Sequence, residues 1–72
     1  MSERYEAAAN LYDTAAEELE QGAAHCRTAA GDFRDGEVPR AAAHAWAARG
    51  HMLEATQRLD EQAREHARRS TP

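Results

Sequence analysis

Large and small apolar side chains alternate along the first half of the chain in steps of three and four residues. With Tyr5 as heptad position a, every a position holds a large side chain or Cys26, every d position holds Ala or Gly, and every e position holds Ala. This coiled-coil spacing is typical of a helix that packs lengthwise on another helix, with a and d at the seam. The rows are Tyr5, Tyr12, Leu19, Cys26 and Phe33 (a); Ala8, Ala15, Gly22 and Ala29 (d); and Ala9, Ala16, Ala23 and Ala30 (e).

The second half of the chain repeats this pattern over a wider apolar arc. Its a and d positions are Val38, Ala41, Ala45, Ala48, Met52, Ala55, Leu59, Gln62 and His66. Trp46 and Leu53 occupy a row beside that seam, so the arc is wider than one facing helix covers. We therefore expect the chain to form a homodimer and to complete a four-helix bundle. The expected interface residues are Trp46, Leu53, Met52 and Leu59, because large side chains dominate interfaces.

Capping signals predict where the two helices begin and end. Ser2 is an N-cap residue, and the first helix is expected to span about 2–34. Two glycines and a proline interrupt the pattern between 31 and 39, and Pro39 suits the first turn of a second helix over about 38–69. The predicted fold is all-α: one domain, 1–72, forming an antiparallel two-helix hairpin with Ala-rich close packing.

The glycine spacing leaves a second organisation open. Gly22, Gly36 and Gly50 are fourteen residues apart, which would suit helices broken at each of them. The run from Gly50 to Ala55, with Leu59 after it, resembles the turn of a tetratricopeptide-type repeat. That resemblance covers 36–59 and implies a fragment that grips a peptide in an Ala-lined groove. Proline stands at position 39, where the first tryptophan of the repeat would align.

Composition and charge indicate the kind of genome that encodes the chain and the class of partner that it avoids. All nine basic residues are arginine, isoleucine is absent, and a quarter of the chain is alanine, a bias that indicates a high-GC bacterial genome. The segment 36–51, GEVPRAAAHAWAARGH, is similar to short uncharacterised Ala/Arg-rich helical proteins of actinomycete-type bacteria, a class that implies no activity. The net charge of −4 lies in the first half of the chain, which argues against nucleic acid as a partner.

The sequence also bears on location. No stretch reaches the roughly 18 to 20 apolar residues of a membrane span, and no basic start with an apolar run suggests a signal peptide. We therefore expect a cytoplasmic protein that does not bind membranes. A single cysteine, Cys26, permits no disulfide within the chain, and its a position predicts a small core side chain.

The candidates for metal chemistry are His25, His44 and His51, which all fall at heptad position g beside the seam. In an antiparallel hairpin, His25 should lie level with the segment from His44 to His51. A site from His25, Cys26 and His44 is an alternative, since zinc and copper favour imidazole and thiolate. No paired ligand motif supports it, so the expectation is no metal and no cofactor.

Nothing in the sequence predicts catalysis. Asp13, Glu17 and Glu20 share one helix face, a pattern more typical of solvated charge than of paired acid and base. No phosphate-binding glycine loop or serine nucleophile motif is present. The predicted function is therefore a non-enzymatic, self-associating protein–protein interaction module. The alternatives are a tetratricopeptide-like fragment and a metal-binding bundle.

Overall fold

The computed structural model describes residues 2–71 as two long helices joined by a tight turn. Helix α1 spans Glu3–Arg34 and helix α2 spans Val38–Arg69. The helices are antiparallel neighbours, and residues 2–71 contain no strand. The predicted hairpin is confirmed, with boundaries within one residue of those expected.

Local chemistry explains where α1 begins. The Ser2 hydroxyl oxygen accepts a hydrogen bond from the Tyr5 backbone N–H at 3.3 Å, and the Ser2 carbonyl accepts from the same N–H at 3.1 Å. Glu3 and Glu6 place negative charge in the first turn, where unpaired N–H groups favour it. The predicted Ser2 cap is confirmed.

The turn between the helices follows from Gly36. Its φ of +77° lies in the left-handed region that side chains disfavour. The Gly36 N–H donates to the Phe33 carbonyl and the Glu37 N–H donates to the Asp32 carbonyl, which is the Schellman arrangement. Pro39 stands in the first turn of α2, as predicted. The chain therefore reverses within three residues, Asp35 to Glu37.

Both helices pass through their internal glycines without a break. Gly22 lies inside α1 and Gly50 lies inside α2, each within a continuous 32-residue helix. The alternative of a tetratricopeptide-like fragment, which needs short helices that end at these glycines, is therefore wrong as a description of the fold. One glycine costs a helix only about 1 kcal/mol relative to alanine, which flanking helix formers offset.

The seam between the helices differs from the predicted one. All buried residues lie in the d rows of the two helices, and the g-row residues from 11 to 32 and from 44 to 65 are all half-buried. The predicted a/d seam is therefore wrong by one row, and the helices meet on d and g. The buried residues are Ala15, Gly22, Ala29, Ala41, Ala48 and Ala55.

Consequently, several residues assigned to the core lie on the surface. The Tyr5 and Tyr12 rings are 58% and 53% exposed, Met52 and Leu59 are each 42% exposed, and Cys26 is also exposed. The alanine e row beside the predicted seam is likewise exposed at Ala9, Ala16 and Ala23. The physical reason is size: two rows of Ala and Gly allow the backbones to approach closely, and this leaves the large a side chains beside the contact rather than within it.

The molecule is a slab one helix thick. Its principal extents are 53 × 26 × 12 Å, and its radius of gyration is 16.5 Å. A compact chain of this length has a radius of gyration of about 11 Å. Neither broad side of the slab is covered by another element among residues 2–71.

Candidate functional site

One broad side of the slab is apolar. The two helices meet on their d and g rows, and the a row flanks the d row on each helix. Because the helices are antiparallel, equivalent flanking rows lie on the same side of the contact, so both a rows emerge on one broad side of the slab. Their large side chains are between 41% and 58% exposed. We call this side the apolar face; its large members are Tyr5, Tyr12, Leu19, Phe33, Val38, Met52 and Leu59.

The two edges of the apolar face differ in bulk. On α1 the adjoining e row consists of alanines at 9, 16, 23 and 30. On α2 the outer edge carries Trp46 and Leu53, which are 76% and 54% exposed. These two side chains lie about 100° around the helix from the neighbouring a row, so they border the face rather than stand within it. The matching outer positions of α1, such as Asp13 and Glu20, are charged, so only the α2 edge is apolar.

The opposite broad side carries a cluster of three histidines and one glutamate. The Nδ1 atoms of His25 and His44 are 2.9 Å apart, so the two helices are joined by a hydrogen bond between imidazoles. The His51 Nδ1 lies 2.6 Å from Glu18 Oε2, a second link across the seam. We call His25, His44, His51 and Glu18 the histidine cluster.

Ring packing holds the histidine cluster together. The His25 ring is stacked on the His51 ring with centroids 5.4 Å apart and planes inclined by 14°. The His44 ring lies 5.1 Å from the His25 ring and is tilted by 31°. His25 therefore sits between the other two, level with the segment from His44 to His51, as the sequence predicted.

The histidine hydrogen bond constrains the protonation of the pair. One ring must donate its Nδ1–H while the other accepts at an unprotonated Nδ1. Only one of the two Nδ1 atoms therefore carries a proton. In the other pair, the Glu18 carboxylate accepts from the His51 Nδ1–H, an ion pair when His51 is protonated. The cluster therefore supplies imidazole nitrogens whose lone pairs can accept hydrogen bonds or bind a metal ion.

Cys26 does not join the histidine cluster. It follows His25 directly, and a step of about 100° places it in the exposed a row on the apolar face. The alternative of a three-ligand site formed by His25, Cys26 and His44 is therefore wrong for this fold. Within residues 2–71, no group of three or more His, Cys, Asp or Glu side chains has the geometry of a metal site. Glu18 was missed by the sequence reasoning, although its g position, one heptad before His25, was a signal.

Apart from Leu11, the remaining g positions of the two helices are polar. Arg58 approaches Glu54 at 3.6 Å and Glu61 at 4.0 Å, yet its Nε is buried without a hydrogen-bond partner in the described part of the chain. The open end of the hairpin, where α1 begins and α2 ends, holds a shallow cleft between Leu11 and Gln62. Basic and acidic side chains alternate around this cleft, so it has no single ligand chemistry.

Comparison with known proteins finds no relative of this chain. No family model matches the chain, and neither the curated proteins nor the solved structures contain a significant match. Neither of the two helices combines the length and the apolar character that crossing a bilayer requires. The apolar face and the histidine cluster are therefore the two candidate functional features of the molecule.

Proposed function

We propose that this protein is a small, non-enzymatic interaction module that associates with a second copy of itself through the apolar face. The observation that carries the proposal is the distribution of burial. Every apolar side chain buried between the two helices is an alanine, and apart from the half-buried Leu11 the large apolar side chains of residues 2–71 stand in the exposed a row or at its edge.

An alanine core contributes little to stability. Fully burying a Leu, Phe or Met side chain is worth about 1.5–3 kcal/mol, whereas an alanine offers a single methyl group. Ordering each residue costs about 1–2 kcal/mol of backbone entropy, and short chains of this kind usually need a partner or a staple. Covering the apolar face would supply the missing burial.

The shape of the face supports a second copy as the partner. A two-fold axis brings the same surface of both copies together, so that surface must be self-complementary. When α1 of one copy lies over α2 of the other, the apolar edge formed by Trp46 and Leu53 faces the side of α1 that carries the alanine e row. The slab outline of 53 × 26 Å is large enough for the roughly 800 Å² per partner that a stable interface buries.

Charge favours the same pairing. The net charge of −4 lies in the half of the chain that forms α1, while the other half has equal numbers of acids and arginines. Laying α1 of one copy on α2 of the other separates the two acidic helices, because like charges across an interface oppose association. The expected assembly is a four-helix bundle in which Met52 and Leu59 are central and Trp46 and Leu53 close the edges.

Sedimentation equilibrium of the wild-type chain tests the proposal. The expected result is a mass of twice 8.0 kDa at micromolar concentration. A chain that sediments as a folded monomer at high micromolar concentration would rule the homodimer out. The apolar face would then be assigned to a different protein.

Three glutamate substitutions locate the contact. Leu19→Glu, at the centre of the apolar face, and Trp46→Glu, at its edge, should each yield a monomer or an unfolded chain. Ala43→Glu introduces the same charge at an exposed position of α2 turned away from the apolar face, and it should leave the dimer intact. Equal effects of all three substitutions would show that added charge, rather than the face, controls association.

A further inference from the structure

The histidine cluster lies on the side of the slab that the proposed dimer leaves uncovered. We propose that His25 and His44 bind one divalent copper ion between α1 and α2 through their Nδ1 atoms, with water completing the coordination. The site does not depend on the dimer, because the g-row histidines and the a-row side chains emerge on opposite broad sides of the slab.

The separation of the two nitrogens is an ordinary hydrogen-bond length, and it also allows both atoms to bind one ion. Metal–nitrogen bonds of about 2.0–2.1 Å that meet at 90° hold their nitrogens about 2.9 Å apart, whereas a tetrahedral angle separates them by about 3.3 Å. The His25 and His44 Nδ1 atoms are 2.9 Å apart. Near-square coordination by nitrogen and oxygen is typical of Cu²⁺, which also binds such sites more strongly than the other divalent first-row ions.

The rings are held close together before the ion binds, and binding turns the two Nδ1 atoms from each other toward the ion. His25 is packed between His44 and His51, and the Glu18 carboxylate fixes the His51 ring by accepting its Nδ1–H. The hydrogen bond to Glu18 occupies the His51 Nδ1, so His51 cannot bind the ion through the atom that His25 and His44 use. The two ligands come from different helices, and the ion therefore links α1 to α2.

The proton balance of binding is simple. In the free protein one Nδ1–H donates to the other Nδ1, so one of the two lone pairs is blocked. Binding requires that proton to move from Nδ1 to Nε2 of the same neutral ring through solvent, with no net release. An imidazolium ring must instead lose a proton to bind, so copper binding weakens at acidic pH.

Calorimetric titration with Cu²⁺ tests the site, with Cys26→Ser as the background because an exposed thiol binds and reduces copper. The expected result is one ion per chain, an increase in Tm, and a visible absorption band of nitrogen-coordinated Cu²⁺. Replacing both rings, His25→Leu with His44→Leu, leaves no buried polar atom unpaired and should weaken binding at least tenfold while the helices remain. His66→Gln removes an exposed histidine near the end of α2 and should change neither affinity nor Tm.

Three outcomes would overturn the inference. The first is wild-type binding no tighter than that of the double variant. The second is a loss of binding with His66→Gln. The third is two chains bridged per ion, because the ligands belong to one chain. If the double variant does not fold, NMR of the imidazole nitrogens in the wild-type protein tests the site instead. Added Cu²⁺ must broaden the resonances of His25 and His44 at a lower concentration than those of His66.

Discussion

Gly22 of α1 lies directly against Ala48 of α2: a Cβ atom added to Gly22 would stand 3.5 Å from the Ala48 carbonyl oxygen and 3.6 Å from the His51 Cβ. Small side chains in the d rows are what let the two backbones approach this closely. The same approach brings the g-row histidines within hydrogen-bond distance. The alanine seam therefore positions the histidine cluster.

Ala48→Leu should separate the helices at this point. Ala48 is 5% exposed, and inserting methylene groups into a packed seam costs about 1–3 kcal/mol. We expect a lower Tm and a weaker response to Cu²⁺. Ala24→Leu, at an exposed position of α1, is the matched control and should melt like the wild type. Identical melting of the two variants would mean that the alanines reflect codon bias rather than packing.

Two glycine substitutions should act in opposite directions. Gly50 lies in α2 with nothing within 4 Å of an added Cβ, so Gly50→Ala should stabilise the protein by about 1 kcal/mol. Gly36→Ala should destabilise it by about 1 kcal/mol, because alanine disfavours the φ of +77° at that residue. Chemical denaturation measures both effects. A destabilising Gly50→Ala would show that α2 breaks at this glycine.

The sequence predicted the elements better than their contact. The glycine, proline and capping signals placed both helices within one residue, since local chemistry determines helix ends. The choice of seam depends on which of two neighbouring rows faces the partner, and the large side chains of Tyr12 and Leu59 favoured the a row. Burial of the d row by alanine alone is a tertiary effect that periodicity does not reveal. The histidines were placed at the correct level for the same reason that the hairpin was: the turn fixes the register.

Glu65 should titrate below the ordinary carboxyl value of 4.5. The hydrogen bond from Arg68 is the main cause of its lowered pKa, and Arg69 adds to it. Because the folded-state pKa is lowered, the stabilisation is present above the ordinary value and is lost as the pH falls through the folded-state pKa. Carboxyl NMR titration measures this. An unshifted Glu65 midpoint, or one that Arg68→Gln leaves unchanged, would contradict the pairing.

If the apolar face is covered by a second copy, thermal stability should depend on protein concentration. Association stabilises the folded form by mass action, so Tm should rise as the chain is concentrated from low to high micromolar. Circular dichroism melts over that range measure the shift. Leu19→Glu should abolish the concentration dependence, whereas Ala43→Glu should retain it. A concentration-independent Tm in the wild type would contradict self-association.

The equal length of the two helices has a consequence for the field around the molecule. Each helix has 32 residues, and the two run in opposite directions side by side. The partial positive charge at the start of each helix therefore lies beside the partial negative charge at the end of the other. The macrodipoles compensate each other at both tips of the hairpin, so the field around the molecule is determined by the charged side chains along its length.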